Sequence, residues 1–153
     1  GLVGADGQTH HGCFDPAYLT QIPGMTVLCP ASFAELRDML RHAICKVSGP
    51  VAIRYPRGGE KDYTDASDPE RCYITLQDGA DFTILSYGIL INEALKAAEL
   101  LAEKGISVRV IKLNRIAPLS EADVASMLSS ACWFWKIASL LAAWVKRSPA
   151  WRR

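Results

Sequence analysis

The sequence predicts an α/β fold of parallel sheets joined by helical crossovers. Short apolar runs alternate with stretches of helical period, in the order strand, helix, strand, on both sides of a polar segment. Glycine and proline punctuate the runs at Pro23-Gly24, Gly49-Pro50, Pro56, Gly88 and Gly105. A crossover helix between two strands joins them in parallel, which gives the sheets their sense.

The elements follow in order. Residues 26–29 (Thr-Val-Leu-Cys) form a buried strand after Pro23-Gly24. Ser32 then caps a helix, with Glu35 at the capping-box position, and the helix runs to about Cys45. Phe33, Leu36, Leu40 and Ala43 supply its apolar face. Residues 51–55 form the next strand, which Pro56 ends. Between Gly58 and Asp81 stand seven acids and two bases, together with Gly58-Gly59 and Asp68-Pro69, so this stretch is expected to be a solvated linker. Beyond it, residues 82–86 form a strand that stops at Gly88. Asn92 can cap a helix to about Lys104, with Ile91, Leu95, Ala98 and Leu101 as its apolar stripe and Gly105 as its stop. Residues 108–111 are a further strand, and Ser120 with Asp123 opens a last helix.

Composition limits the function classes. The chain has 153 residues, half of them hydrophobic and 22% charged, as in an ordinary soluble protein. A net charge of +1 points to neither nucleic acid nor a membrane surface as partner. Cys13, Cys29, Cys45, Cys72 and Cys132 are odd in number and contain no CxxC pair. That argues against a disulfide framework or a zinc knuckle and for a reducing, cytoplasmic setting. The chain opens on Gly1-Leu2-Val3-Gly4, without Met or a signal peptide, and is expected to begin inside a domain.

Two clusters can carry chemistry. The first is the loop 4–12 (Gly-Ala-Asp-Gly-Gln-Thr-His-His-Gly), where an acid and two histidines lie among three glycines. On residues alone it is either a solvated surface turn or a ligand loop. A metal at His10, His11 and Cys13 is not expected, because adjacent residues rarely aim at one ion. The second cluster is Arg54-Tyr55-Pro56-Arg57-Gly58, at the C-terminal end of a predicted parallel strand, where open α/β sheets bind ligands. Arg57 is either a surface arginine or a phosphate ligand. Arg54 reads as a surface arginine or half of a structural ion pair, and Tyr18 as a packing residue.

The string from Gly1 to Ser32, with its GADGQTHHGCFDPAYL loop, and the strand end RYPRG resemble the 1-deoxy-D-xylulose-5-phosphate synthase family of the transketolase superfamily. The resemblance continues through ADFTILSYG and the segment 104–119, and covers about residues 1–131. It implies part of a transketolase pyrimidine-binding domain over 1–57, a linker over 58–81 and the first half of a transketolase C-terminal domain over 82–131. It further implies a thiamine-diphosphate and Mg2+ dependent transferase that joins pyruvate to glyceraldehyde 3-phosphate with release of CO2. This is the first step of the non-mevalonate route to isoprenoids. The family pattern is a homodimer, in the cytoplasm or the plastid stroma, with neither nucleic acid nor membrane as partner. Carried over by position, His10 faces the reacting centre, Asp6 hydrogen-bonds the acceptor substrate and Arg57 holds its phosphate. The family's diphosphate and metal ligands, and the glutamate that activates the aminopyrimidine, precede the segment matched by Gly1, so turnover is not expected from this chain alone. Two alternatives are another transketolase-like thiamine enzyme, against which the THHGCFD loop argues, and a non-catalytic transketolase-fold dimerisation or regulatory module.

The stretch 132–153 departs from that pattern. It holds all four tryptophans, five bases and no acid. Residues 132–137 (Cys-Trp-Phe-Trp-Lys-Ile) are encoded almost without freedom, and the frame that joins each codon's last base to the next codon's first two reads Leu-Val-Leu-Glu-Asp/Asn. A strand ending in Leu-Glu-Glu or Leu-Glu-Asp is what the family carries there. The expectation is therefore an aberrant, frame-shifted tail that was never selected to pack; a genuine membrane-surface tail is the alternative.

Overall fold

The computed structural model describes residues 3, 6–128 and 132–134, with the backbone alone for Gln8 and 132–134. Four helices are described: α1 (Asp15–Leu19), α2 (Phe33–Cys45), α3 (Ile91–Ala102) and α4 (Glu121–Met127). Seven strands accompany them: β1 (Thr26–Leu28), β2 (Val51–Ile53), β3 (Tyr73–Gln77), β4 (Phe82–Tyr87), β5 (Val108–Leu113), β6 (Arg115–Ala117) and β7 (Cys132–Phe134).

The strands form two sheets. One has the order β2-β1-β6, with β1 and β2 parallel (Thr26 opposite Val51, Leu28 opposite Ile53) and β6 antiparallel to β1. The other has the order β3-β5-β4-β7, with β4 parallel to both β5 and β7 and β3 antiparallel to β5. The sheets are therefore mixed rather than wholly parallel, and both departures come from short edge strands that no crossover helix precedes. The chain passes from β5 in one sheet to β6 in the other at Asn114. The Asn114 carbonyl accepts from the Cys29 amide at 2.8 Å, and its own amide donates to the Cys72 carbonyl at 2.9 Å.

Two apolar clusters hold the layers. Val27, Cys29, Leu85, Ile111, Leu113, Ile116, Val124 and Met127 pack together across the two sheets. Ile84, Ile91, Ala94, Ala98, Val108 and Val110 seat α3 on the second sheet, with Leu95 and Leu101 half-buried beside them as their spacing predicts. Full burial of one such side chain, Ile91 for example, contributes about 1.5–3 kcal/mol. Gly105, at φ 76°, ends the helix signal as expected: the Ile106 amide reaches back to the Leu101 carbonyl at 3.0 Å. The capping box of α4 is complete, with Ser120 Oγ accepting from the Asp123 amide at 3.0 Å and Asp123 accepting from the Ser120 amide at 3.1 Å.

Several expectations are corrected. The stretch 58–81 is not a solvated linker throughout. It contains β3, and Tyr63 and Cys72 are each 6% exposed. Its acids other than Glu60 are exposed, while Tyr63 is buried and Tyr73, Ile74 and Leu76 are half-buried, so charge counting hid an edge strand. Helix α2 buries Glu35 and Met39, whereas Phe33 and Leu40 are 59% and 44% exposed. Ser32 is its cap, but the Glu35 carboxylate accepts from the Ala31 amide rather than that of Ser32. Asn92 lies inside α3, buried, accepting from the Tyr63 amide at 2.8 Å and donating to the Ile89 carbonyl at 2.9 Å. It clasps the 58–81 stretch instead of capping the helix. Of the tail, Cys132–Phe134 joins the second sheet as β7. A ladder is made by main-chain groups, so it forms regardless of the side chains carried. The remainder of the frame-shift expectation, 135–153, lies outside the described residues.

Candidate active site

The parallel strands β1 and β2 end side by side at Leu28 and Ile53, and the segment 54–58 leaves from that edge. The loop 6–14 lies against it. Gly7, at φ 76°, takes a backbone conformation that a side chain would resist, and the 3-10 turn Gln8–His10 follows, closed by the His10 amide to the Gly7 carbonyl at 3.3 Å. Pro16 at the second position of α1 ends the loop with a preset helical φ.

Arg54 fastens the loop to the strand end. Its Nη2 donates to the Gly12 carbonyl at 3.1 Å, and its Nε, buried and without a hydrogen bond, faces Asp15 Oδ2 at 3.5 Å as an ionic contact. The guanidinium also stands over the Tyr87 ring of β4, 5.8 Å from its centroid. This is the structural ion pair that its position in the sequence left open. Asp15 also accepts a hydrogen bond from the Tyr18 hydroxyl at 3.1 Å, and that bond to an anion pushes the Tyr18 phenol above its ordinary value. Tyr18 is 57% exposed, so it is not the packing residue expected; its aromatic ring stays in water while its hydroxyl holds Asp15. A Cβ at Gly12 would meet the Asp15 carboxylate, which would have to move aside from its contacts with Arg54 and Tyr18.

Of the three candidate residues, the structure brings two together. Asp6 and Arg57 form an ion pair through Asp6 Oδ2 and Arg57 Nη1. His10 is exposed, with Nδ1 3.0 Å from Thr9 Oγ1, and so is free to meet a ligand from solvent. His11 turns the other way: its Nδ1 accepts from the Val3 amide at 3.0 Å, a tie within the loop that places its proton on Nε2.

Sequence reasoning missed a buried polar cluster. Glu35 of α2 and Lys112 of β5 are both fully buried, with Nζ and Oε1 2.8 Å apart. The Tyr63 hydroxyl and Ser67 Oγ donate to the same oxygen at 3.0 and 2.6 Å, and Lys112 Nζ donates to Asn114 Oδ1 at 2.6 Å. Burial pushes the Lys112 ammonium down, and the Glu35 charge opposes that shift. Burial likewise raises the Tyr63 phenol, with the Glu35 carboxylate adding to it. The one signal in the sequence was Lys112 itself, a cation inside an apolar strand. The cluster welds α2 to β5 and so fixes the two halves of the chain.

Residues 1–60 match the pyrimidine-binding domain of transketolase, and residues 73–131 match the transketolase C-terminal domain. The chain belongs to the transketolase superfamily. Within it the sequence groups with the 1-deoxy-D-xylulose-5-phosphate synthases. It is 44% identical over 137 residues to that of Chlorobium phaeovibrioides, covering 86% of this chain and 21% of the relative. It is 42% identical over 134 residues to that of Halalkalibacterium halodurans, covering 85% and 21%. The chain thus spans about one-fifth of the length of the curated relatives it matches. Among solved structures, a split-gene transketolase described as an inactive beta4 tetramer superposes with a TM-score of 0.72 at 26% identity, covering 88% of this chain and 50% of that one. A transketolase mutant from Pichia stipitis gives 0.75 at 23% identity, covering 86% and 21%, and shares the fold.

Proposed function

We propose that this chain is the acceptor-binding part of a 1-deoxy-D-xylulose-5-phosphate synthase, a transferase that joins pyruvate to glyceraldehyde 3-phosphate and releases CO2. The observation that carries the reading is the meeting of Asp6 and Arg57 at the ends of two parallel strands, in the loop and strand end that resemble this family. Arg57 offers a planar fork of donors to the phosphate of the acceptor. Asp6 accepts a hydrogen bond from an acceptor hydroxyl. His10, exposed on the same loop, moves a proton at the oxygens of the reacting centre, a task suited to an imidazole near neutral pH.

Thiamine diphosphate, when bound, supplies the electron sink of this reaction class. Among the described residues no three His, Cys, Asp or Glu converge as metal donors, and no Mg2+-diphosphate seat is assigned to them. In this reading that seat belongs to other parts of the family's polypeptide, and the chemistry assigned here is confined to side chains the chain carries. A homodimer in the cytoplasm, or in a plastid stroma, completes the proposal. No helix among the described residues is long and apolar enough to cross a membrane. A second reading, a non-catalytic transketolase-fold module, is favoured by the likeness to the split-gene transketolase described as inactive.

The test is a chimera in which residues 1–131 replace the matching segment of the Chlorobium phaeovibrioides relative. Release of CO2 from carboxyl-labelled pyruvate, accelerated by glyceraldehyde 3-phosphate, is the expected result. A folded chimera that binds thiamine diphosphate and releases no CO2 would favour the non-catalytic module.

A further inference from the structure

The Asp6–Arg57 contact sets one assigned substrate ligand against the other. The two side chains are presented by short segments beside glycines. Asp6 directly precedes Gly7 at φ 76°, and Arg57 stands between Pro56 and Gly58, the latter at φ 131°. The pair lies at the surface, with the Arg57 side chain 60% and that of Asp6 33% exposed. Ion pairs so exposed are weak and open readily. The contact engages one nitrogen of a group that carries five N–H donors, and the competitor is a carboxylate monoanion. A phosphate dianion presents more charge and more acceptor oxygens to the same fork.

We infer that Asp6 is an internal counter-anion seated on Arg57, and that a phosphate-bearing acceptor must displace it. This rests on the assignment of Arg57 as phosphate ligand. The displacement gives the pair a selecting role. Once phosphate takes Arg57, the Asp6 carboxylate is released to accept a hydrogen bond from the acceptor's hydroxyl. An aldehyde without phosphate leaves Asp6 tied to Arg57, and so loses both contacts rather than one. The site thereby favours phosphorylated aldehydes beyond what direct contact with Arg57 supplies.

The experiment is a titration of the isotope-labelled full chain with inorganic phosphate at constant ionic strength and neutral pH, following the Arg57 guanidinium and Gly58 amide resonances. The same titration is run on Asp6→Asn, Arg57→Ala and Glu60→Gln. The wild-type chain is expected to bind phosphate, Arg57→Ala to lose that binding, and Asp6→Asn to bind about two- to fivefold more tightly, the strength of an exposed pair. Glu60→Gln removes a nearby charge that bonds the Phe33 amide instead of Arg57, and should leave the affinity unchanged. Phosphate binding that depends on Arg57 but is not tightened by Asp6→Asn overturns the counter-anion role and leaves Arg57 as the ligand. Equal tightening by Glu60→Gln reduces the effect to net charge and overturns it too. Absence of any phosphate response at Arg57, in wild type and Asp6→Asn alike, overturns the Arg57 assignment itself.

Discussion

Replacing Lys112 by methionine removes a fully buried ammonium and leaves Glu35, also fully buried, without its cation. Breaking one side of a buried pair costs about 3–5 kcal/mol, because the remaining charge is neither solvated nor compensated. Glu35 keeps three donors, the Tyr63 hydroxyl, Ser67 Oγ and the Ala31 amide, which places the loss near the lower end. Asn114 Oδ1 loses its 2.6 Å donor as well, adding roughly 1 kcal/mol. The expected loss is therefore about 3–4 kcal/mol, a large share of the roughly 5–15 kcal/mol that holds a domain together. With a slope of about 2 kcal/mol per molar, the urea midpoint should fall by roughly 1.5–2 M. The double variant Glu35→Gln, Lys112→Met removes both charges and should recover much of that loss. A single-variant loss below about 1 kcal/mol, or a double variant no better than the single, would show that the cluster does not weld the two halves.

Three further outcomes are expected. Hydrogen bonding from Ser120 holds the Asp123 carboxyl below its ordinary value, so its contribution is complete above about pH 4 and is lost as pH falls through the folded value. Ser120→Ala should accordingly lower stability by about 1 kcal/mol at neutral pH, and thermal melts repeated at about pH 2 should show a smaller difference. Burial pushes the Cys29 and Cys72 thiols up to about 11, while Cys13 and Cys45 are exposed. In a Cys132→Ser background a thiol reagent at about pH 8 should modify Cys13 and Cys45 first; labelling of Cys29 at an equal rate would contradict its burial. In the coding DNA the alternative frame should stay open across 132–153, and a stop codon within it there would remove the frame-shift account of the tail.

What could be read from the sequence was local. The runs at β1, β2, β4 and β5 are apolar and bounded by Gly or Pro, and the Ser120–Asp123 box is decided within four residues. The face of α2 was misread because its buried residue is a carboxylate whose partner, Lys112, lies far along the chain. Counting apolar residues placed Phe33 and Leu40 inward, whereas the ion pair turns Glu35 and Met39 there. β3 was missed for a related reason, since a half-exposed edge strand among acids carries little hydrophobic signal. Tyr18 and Asn92 were misassigned because a polar atom can bond either its own helix or a neighbour, and only the fold decides which. At the site, the sequence marked Asp6, His10 and Arg57 as polar residues near glycines. That Asp6 meets Arg57 depends on Arg54 anchoring the loop to β2, a contact between distant segments.

The most direct test of the central claim is the pair of Michaelis constants for Arg57→Ala in an active chimera carrying residues 1–131. A rise of roughly thirtyfold is expected for glyceraldehyde 3-phosphate, the lower end of the effect of truncating a charge-assisted contact, with the constant for pyruvate little changed. An equal rise for both substrates, or none for the phosphorylated one, would contradict it.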